Sequence, residues 1–434
     1  MNEIDIEMAG GLTKPGMLRA LPGSALWTAL RLRSAMSAAK VPVLTASPPT
    51  ITVPGATNPY GGSETFFHAP DVRDRCFTFL RGSWAEFNVG GTRYMGPGAV
   101  VTYSPSLTTG GSAPLWSFMC DAPDLAITFR SPSSGVRILI DGEFAHEGGL
   151  AIGEGSGAPW HIRIEHGSRK PRLYEIYANG NFYVRGIRCA SALDRVWPAP
   201  QTYDDLRGVI IGDSFTEGGA NGLPEDLWGY GFGASLPYHL GTRDLRASGS
   251  GATGYLADAL GTRYNAFQRL GDLTSANPHF ALLPLGTNDN EAVMSAEQQV
   301  SDYLDLAQAA LPNCLFFVFS KFANSFPSSY DTSSQYRDGQ RAACAGRKRV
   351  WYTDTVGYTQ AGPNYQQTAW VTGGGTVYAP NGVGNADLAV GRPAPYTPDS
   401  THPNEWGHQQ VYAPRMAAAV RDGLDQMIAQ DLLV

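Results

Sequence analysis

Charged residues are scarce in this chain of 434 residues. Asp, Glu, Lys and Arg make up 16% of it, and acidic residues outnumber basic ones by 39 to 32. An average soluble protein has roughly 25% charged residues. A broad contact with nucleic-acid phosphates needs clustered lysines and arginines, so the composition argues against that partner. Apolar residues make up 43% of the chain, and 51 glycines and 30 prolines predict a folded protein with many turns.

Paired cysteines are also missing. The five cysteines are Cys76, Cys120, Cys189, Cys314 and Cys344. Their number is odd and no two form a C-x-x-C pair, which argues against a zinc site and against a complete disulfide framework. We expect most of them to be buried thiols, which suits a reducing compartment. One disulfide among the three cysteines of the first half stays open.

Long apolar runs are absent as well. No stretch reaches the 18 apolar residues of a transmembrane helix, so we expect no membrane span. The amino terminus has no basic segment followed by an uninterrupted apolar core, as a secretory signal would. A cytoplasmic location and carriage on a virus particle are therefore both left open.

The first 199 residues divide into two parts. Residues 1–61 predict a helix over 18–39, followed by a linker or extended arm rich in Pro, Thr and Gly. Residues 62–199 hold short β-rich runs separated by turn residues, which are typical of a β-sandwich or jelly roll. Those runs are residues 76–80, 100–103, 125–129, 136–140, 161–165, 173–178 and 182–187. An Asp-Gly pair at 141–142 predicts a tight turn.

Residues 200–434 alternate between strands and helices. Apolar strands are predicted over 209–211, 280–285, 315–320 and 349–353, and helices over 296–310, 335–345 and 405–430. This alternation favours a parallel sheet flanked by helices. The stretch 354–398 is rich in Gly, Pro, Thr and Tyr, and a long irregular segment of this kind is usually a functional loop.

The clearest chemical signal is a serine at the end of a predicted strand. Residues 209–218 read VIIGDSFTEG, which places Ser214 at the edge where open α/β sheets bind ligands. A serine hydroxyl needs a base before it can act as a nucleophile. Asp399 and His402 stand three residues apart, and a carboxylate so placed can orient an imidazole. We therefore predict a centre of Ser214, His402 and Asp399, and we interpret His408 as a core or capping histidine.

Two further segments can bind a developing oxyanion. In LLPLGTND, residues 282–289, Asn288 follows a predicted strand and carries an amide N–H₂. In ASGSGATG, residues 247–254, a backbone N–H can be left bare. Both kinds of group stabilise negative oxygen in acyl transfer. The glycine-rich loop is equally typical of a turn or a phosphate cradle, although it lacks the lysine of a P-loop.

The order and content of these four segments resemble those of the SGNH, or GDSL-type, hydrolases over about residues 203–434. Residues 212–218, GDSFTEG, resemble the block that carries the nucleophile. Residues 250–253, SGAT, and 286–289, GTND, resemble the glycine and G-x-N-D blocks, and 399–402, DSTH, resembles the terminal D-x-x-H block. Phe215 stands where leucine is frequent, and the interval before the last block is long.

The resemblance implies a three-layer α/β/α fold and ester hydrolysis through an acyl-enzyme. Ser214 would attack the carbonyl carbon, His402 would accept the serine proton and pass it to the leaving alcohol, and Asp399 would orient the imidazole. The backbone N–H groups of Ser214 and Gly251 and the Asn288 side chain would bind the oxyanion. Asp213 would brace the loop. The resemblance requires no metal and no cofactor.

The β-rich segment resembles, more weakly, the jelly roll of two-domain carbohydrate acetylesterases. The resemblance rests on the runs at 136–142, 160–165 and 183–187. Near the hydrolase blocks stand Trp228, Tyr230 and Trp406, whose rings suit stacking on sugars, although aromatics are more often core. We expect an esterase that removes O-acetyl groups from a carbohydrate.

Two other functions stay open. The first is a lipase, thioesterase or acyltransferase that uses the same serine, histidine and aspartate. The second is a carbohydrate-binding virion component with little hydrolase activity. The sequence leaves open which polysaccharide is bound, whether the chain forms an oligomer, and what residues 1–61 do.

Overall fold

The structure is a computed structural model. It describes residues 21–62, 64–82, 84–97, 114–130, 136–146, 150, 159–178, 183–200, 206–217, 232–261, 263–322, 334–355, 408 and 412–433. Within these residues the chain forms eight helices and eighteen strands. The helices are α1 (Ala25–Ala38), α2 (Ala69–Cys76), α3 (Ser214–Glu217), α4 (Phe232–Leu240), α5 (Leu270–Ala276), α6 (Ala296–Ala310), α7 (Ser334–Cys344) and α8 (Ala413–Ala429).

The strands fall into a front set and a back set. The front set is β1 (Thr50–Gly55), β2 (Thr65–His68), β3 (Thr78–Leu80), β4 (Trp84–Val89), β5 (Thr92–Pro97), β6 (Leu115–Cys120), β7 (Asp124–Arg130), β8 (Val136–Ile140), β9 (Glu143–Phe144), β10 (Pro159–Glu165), β11 (Arg172–Ala178), β12 (Tyr183–Cys189) and β13 (Val196–Trp197). The back set is β14 (Arg207–Gly212), β15 (Asp244–Gly249), β16 (Phe280–Pro284), β17 (Leu315–Phe319) and β18 (Val350–Thr353).

The front strands form two antiparallel sheets. One runs β1-β10-β7-β12-β5-β4 with β2 beside β12, and the other runs β13-β6-β11-β8-β9 with β3 beside β6. Inward side chains of both sheets, among them Trp116 and Ile127, share one buried core. The predicted β-sandwich is therefore confirmed. The predicted turn is confirmed too, because Asp141 and Gly142 both have positive φ and join β8 to β9, as a two-residue hairpin loop requires.

The segment predicted as a helix and linker has two different environments. Helix α1 buries Leu32 and Met36 in the same core as helices α4 and α8, and Arg33 Nε lies 3.0 Å from Asp425 Oδ1. Strand β1 then pairs antiparallel with β10 in the sandwich. Residues 25–55 therefore tie the two halves of the molecule together. The apolar side chains of α1 explain this placement, since one face of the helix is buried.

The back strands form one parallel sheet in the order β15-β14-β16-β17-β18. Successive residues of β14 face opposite sides: Ile210 packs with α1, α4 and α8, whereas Val209 and Ile211 pack with the core that includes α6. This alternation gives helix–sheet–helix layers, so the predicted α/β fold is confirmed. The predicted strands at β14, β16, β17 and β18 are present, and β15 adds a strand that the sequence analysis missed.

Some predicted elements differ in their bounds. The run at 76–80 begins as the last residue of α2 and becomes β3 only at Thr78. The last helix, α8, spans Ala413–Ala429, and residues 405–407 and 409–411 of the predicted helix lie outside the described residues. The predicted strand at 100–103 and residues 356–398 of the predicted loop also lie outside them. All five cysteines are buried and free, with the sulfurs of Cys120 and Cys189 3.9 Å apart.

The sandwich contacts the α/β half at the amino-terminal edge of the parallel sheet. Arg81 is fully buried and donates through Nε to the Arg243 carbonyl at 3.1 Å, and its backbone N–H donates to Asp244 Oδ1 at 2.9 Å. Glu175 of β11 accepts from Arg243 Nε at 2.9 Å. Because Asp244 begins β15, these contacts lie at the opposite edge from Gly249, which ends it. In the described part of the chain, no helix is both long and apolar enough to span a membrane.

Candidate active site

The order of the parallel strands creates a switch point between β14 and β16. Strand β15 follows β14 in the chain and lies on one side of it, whereas β16 lies on the other. Ligands of open α/β sheets bind at the carboxyl ends of strands at such a point. Ser214 begins α3 two residues after β14 ends, and Asn288 follows β16. The sheet therefore brings the predicted nucleophile and the predicted oxyanion amide to the same edge.

Gly251 lies beside Ser214. A Cβ atom built on Gly251 would be 3.5 Å from the Ser214 Cβ. The loop that carries Gly251 is linked to the third block, because Asn288 Nδ2 donates to the Thr253 carbonyl at 2.9 Å. That bond uses one of the two N–H groups of the amide and leaves the other for a ligand. Three of the predicted site residues thus come together.

A carboxylate occupies the Gly251 N–H in this structure. Glu217, on the same short helix as Ser214, accepts from the Gly251 N–H at 2.6 Å through Oε2. Arg263 Nη1 donates to the same oxygen at 2.9 Å and lies 3.3 Å from the Gly251 carbonyl. Glu217 is buried and Arg263 is partly exposed. An acyl oxygen that uses the Gly251 N–H must therefore displace Glu217 from it.

Asp289 braces the loop that follows the glycine block. Its two carboxylate oxygens accept from the backbone N–H groups of Tyr255, Leu256 and Ala257 at 2.7 to 2.9 Å. The side chain is almost completely buried. The sequence analysis quoted this residue only as the last letter of G-x-N-D. Three backbone bonds to one carboxylate explain why an acid belongs there, because the buried Tyr255 N–H and the partly buried N–H groups of Leu256 and Ala257 all find an acceptor in it.

Asp213 lies directly before the predicted nucleophile and is fully buried. Its Oδ1 accepts from the Phe215 N–H at 3.0 Å, which agrees with the predicted bracing role. Burial raises the pKa of this carboxyl to about 7, despite the opposing effects of the Phe215 and Thr287 hydrogen bonds and of Arg269. The carboxyl therefore changes its charge near neutral pH.

An aromatic cluster joins the nucleophile block to the residues that precede helix α8. Ring centres of Phe215 and Phe322 lie 5.0 Å apart, and those of Phe322 and Tyr412 lie 5.2 Å apart. His408 is fully buried with its ring 6.1 Å from that of Tyr412, as the core interpretation predicts. The chain thus returns to the neighbourhood of Phe215 at Tyr412.

The remaining predicted site residues lie outside the described residues. They are Trp228, Tyr230, Asp399, His402 and Trp406. Their place in the site stays a prediction. Among the residues that the structure does describe, no group of three His, Cys, Asp or Glu side chains is arranged to hold a metal ion.

Comparison with known proteins identifies the back half of the chain. Residues 210–410 match the model of the GDSL-like Lipase/Acylhydrolase family. No curated protein matches the chain by sequence.

Solved structures are similar to the chain in fold. A salicylyl-acyltransferase, SsfX3 from a tetracycline biosynthetic pathway, is 15% identical with a TM-score of 0.55, over 84% of this chain and 98% of that one. A family two carbohydrate esterase from Clostridium thermocellum in complex with cellohexaose is 12% identical with a TM-score of 0.50, over 80% and 99%. One from Cellvibrio japonicus is 11% identical with a TM-score of 0.50, over 89% and 99%.

These likenesses cover the sandwich as well as the parallel sheet, since each spans at least 80% of this chain. The family match contains the segments around Ser214, Gly251 and Asn288 and extends to residue 410. The chain therefore carries a GDSL/SGNH hydrolase domain, joined to a β-sandwich as in the family two carbohydrate esterases.

Proposed function

We propose that the protein is a serine esterase that removes O-acetyl groups from a carbohydrate. The observation that carries the proposal is the placement of Ser214 at the switch point of a GDSL hydrolase domain, beside Gly251 and across from Asn288. Nucleophile and oxyanion donors at one sheet edge suit acyl transfer.

The proposed reaction has two halves. Ser214 Oγ attacks the ester carbonyl carbon while His402 takes the hydroxyl proton and Asp399 stabilises the imidazolium. The tetrahedral intermediate collapses and the bond between the acyl carbon and the sugar oxygen breaks. His402 gives its proton to that oxygen, which leaves as the sugar hydroxyl. Water then attacks the acetyl-enzyme with His402 as base, which releases acetate and restores Ser214.

The negative oxygen of each intermediate needs hydrogen-bond donors. The Ser214 N–H and the second N–H of the Asn288 amide supply two of them. The Gly251 N–H supplies a third once the acyl oxygen has replaced Glu217 Oε2, which Arg263 continues to hold. Loss of one such donor typically costs about 10²–10³ in kcat.

The carbohydrate part of the proposal is supported by architecture. The likeness to the family two carbohydrate esterases spans both halves of this chain. One of those proteins is in complex with cellohexaose. The predicted positions Trp228, Tyr230 and Trp406 add aromatic rings of the kind that stack on sugars.

Acyl transfer to an alcohol other than water is the second candidate. It is favoured by the likeness to the salicylyl-acyltransferase, which has a TM-score of 0.55. The same centre would form the acyl-enzyme, and an acceptor hydroxyl would replace water in the second half. The two functions predict different results when an acceptor alcohol is added. For an acyltransferase the rate of acid release should fall, whereas for an esterase it should stay the same.

Acetate release tests the proposal. Parent, Ser214→Ala and Ser275→Ala are compared on p-nitrophenyl acetate and on a panel of acetylated polysaccharides, with and without added alcohols. Ser275 is an exposed residue of α5, so it serves as the matched control. We expect the parent and Ser275→Ala to release acetate at similar rates and Ser214→Ala to lose at least about 10³ in kcat.

Other outcomes would point elsewhere. Faster release of long acyl chains than of acetate would support a lipase or thioesterase. Transfer of the acyl group to the added alcohol would support an acyltransferase. If the parent hydrolyses none of these esters and glycan binding persists in Ser214→Ala, the results would favour a binding protein.

A further inference from the structure

A fully buried arginine lies beneath the segments that carry the predicted site. Arg269 precedes α5 and is 1% exposed. Its Nε donates to the Tyr264 carbonyl at 2.9 Å. Nη1 donates to the Ser248 carbonyl at 2.5 Å and to the Ser248 hydroxyl at 3.1 Å. Nη2 donates to the Gly212 carbonyl at 2.9 Å and to Thr253 Oγ1 at 3.1 Å. The five N–H groups of the guanidinium thus have five acceptors.

These acceptors belong to each part of the predicted oxyanion site. Gly212 ends β14 two residues before Ser214, and its carbonyl also accepts from the Ser250 N–H at 3.2 Å. Thr253 closes the block that contains Gly251. The Thr253 carbonyl in turn accepts from Asn288 Nδ2 at 2.9 Å. One side chain therefore links the segments of all three predicted oxyanion donors.

The charge of Arg269 has no carboxylate partner in contact. Among the described residues, no Asp or Glu oxygen forms an ion pair with its guanidinium, and all five acceptors are neutral. Ser248 relays the contact to Asp272, because the Ser248 hydroxyl donates to Asp272 Oδ2 at 2.9 Å. Burial of an unpaired charge is costly unless every hydrogen bond is made. Arg269 makes all five of its hydrogen bonds and so meets this condition. Among the basic side chains, only the planar guanidinium of arginine carries five donors that can do so.

We propose that Arg269 is a positioning residue of the esterase site. It fixes the positions of the Ser214 turn, the Gly251 N–H and the Asn288 amide relative to one another, so that all three donors can hydrogen-bond to the same oxyanion. The inference rests on the proposed function, because it assigns a role within the same site. Lysine would keep the charge but has three donors at one point in place of five in a plane. A lysine therefore cannot make all five of the bonds that Arg269 makes.

The test compares Arg269→Lys with Arg81→Lys. Arg81 is also fully buried, but it lies at the amino-terminal edge of the sheet. For each variant we would measure kcat and KM on p-nitrophenyl acetate, and Tm. We would also measure the Kd of phenylboronic acid, which forms a tetrahedral adduct with a reactive serine. We expect Arg269→Lys to lose about 10² in kcat and a similar factor in boronate affinity, because misplaced donors act mainly on the tetrahedral state. KM should change by less than about threefold.

The control separates position from stability. Arg81→Lys should lower Tm by a comparable amount while its kcat stays within about twofold of the parent. Thr253→Val provides a second variant, since it removes one acceptor of Arg269 and leaves the guanidinium in place. We expect a loss of about tenfold in kcat and in boronate affinity for this variant, again with little change in KM.

Two results would overturn the inference. One is a folded Arg269→Lys or Thr253→Val enzyme with the kcat and boronate affinity of the parent. The other is a loss of kcat in Arg81→Lys as large as that in Arg269→Lys. If the parent itself has no Ser214-dependent esterase activity, the proposed function fails instead, and the Ser214→Ala measurement identifies that case.

Discussion

At the scale of single residues, burial raises the pKa of two carboxyls near the predicted site. Asp213 is fully buried with a pKa of about 7, and burial likewise raises the pKa of Asp272 to about 6. Both groups ionise near pH 4 in the unfolded chain. Between about pH 4 and pH 7 these two carboxyls therefore bind more protons in the folded than in the unfolded state, so their contribution to the free energy of unfolding falls as pH rises.

Asp213→Asn should reduce this loss. The amide keeps an oxygen for the Phe215 N–H, which Asp213 Oδ1 accepts at 3.0 Å, and it has no proton to release. We compare the free energy of unfolding of the variant with that of the parent at each pH. The difference, variant minus parent, should be larger at pH 8 than at pH 5 by roughly 2–3 kcal/mol. Urea unfolding at the two pH values measures the difference.

Asp338→Asn is the matched control for that experiment. Asp338 is an exposed acid on α7 with an ion pair to Arg341, and such pairs contribute about 0–1 kcal/mol. Its variant should follow the pH dependence of the parent. An Asp213→Asn protein with the same slope as Asp338→Asn would mean that Asp213 is ionised in the folded state throughout this range.

At the scale of elements, the short helix α3 depends on a close approach to β15. A Cβ on Gly249 would lie 2.2 Å from the Glu217 backbone nitrogen and 2.7 Å from its Cα. Backbone cannot yield as a flexible side chain can, so any larger residue at position 249 must move α3. Ser214 and Glu217 are on that helix and would move with it.

Gly249→Ala should therefore lose activity through a shift of the nucleophile. We expect about a 10²-fold fall in kcat, since a displacement of about 1 Å can cost that much. Gly271→Ala is the control, because a Cβ at that position in α5 has no atom within 4 Å. Alanine there should stabilise the helix by up to about 1 kcal/mol and leave kcat unchanged. Full activity in a folded Gly249→Ala enzyme would contradict the close packing of α3.

Elements differed in how far sequence could predict them. The apolar strand β14 and the helix α6 were predicted because burial on both faces and helical periodicity leave clear patterns. Strand β15 reads DLRASG, and its polar and small residues hide a strand that is nonetheless central to the site. Arg269 gave no signal at all, because its five acceptor atoms belong to four residues, three of which are 16 to 57 positions away in the chain. Asp289 and Glu217 stood inside quoted motifs, but their partners could not be read from spacing.

At the scale of the whole molecule, the two halves of the chain meet away from the sheet edge that carries Ser214. Arg243 and Asp244 lie at the start of β15, and Gly249 ends it. Five residues of strand separate the two edges by about 17 Å. The sandwich therefore holds the hydrolase half by its amino-terminal edge, with the buried pair of Glu175 and Arg243 between them.

This arrangement also explains a limit of the sequence analysis. A helix and a turn-rich linker are visible in residues 18–61, but their partners are distant in sequence. Helix α1 packs against α8 near the other end of the chain, and β1 pairs with β10. Local patterns predict an element more readily than they predict its neighbour, so the tie between the halves emerged only from the structure.

The buried pair gives a prediction about the role of the sandwich. Glu175→Leu or Arg243→Met alone leaves one buried charge without its partner, which should cost about 3–5 kcal/mol in the free energy of unfolding. The double variant removes both charges and should recover most of that loss. Asp305→Leu, which breaks an ion pair to Arg347 on the surface of α6, is the control and should change stability by less than about 1 kcal/mol.

The same variants separate support from catalysis. Because the pair lies at the edge opposite Ser214, kcat per folded molecule on p-nitrophenyl acetate should stay at the parent value in all three proteins, as measured well below their unfolding temperatures. A single variant that folds and yet loses kcat would mean that the contact between the halves also shapes the catalytic edge. Unchanged kcat with lowered stability would assign this contact to holding the two halves together, since it lies at the amino-terminal ends of the strands, whereas Ser214 lies at the carboxyl-terminal ends.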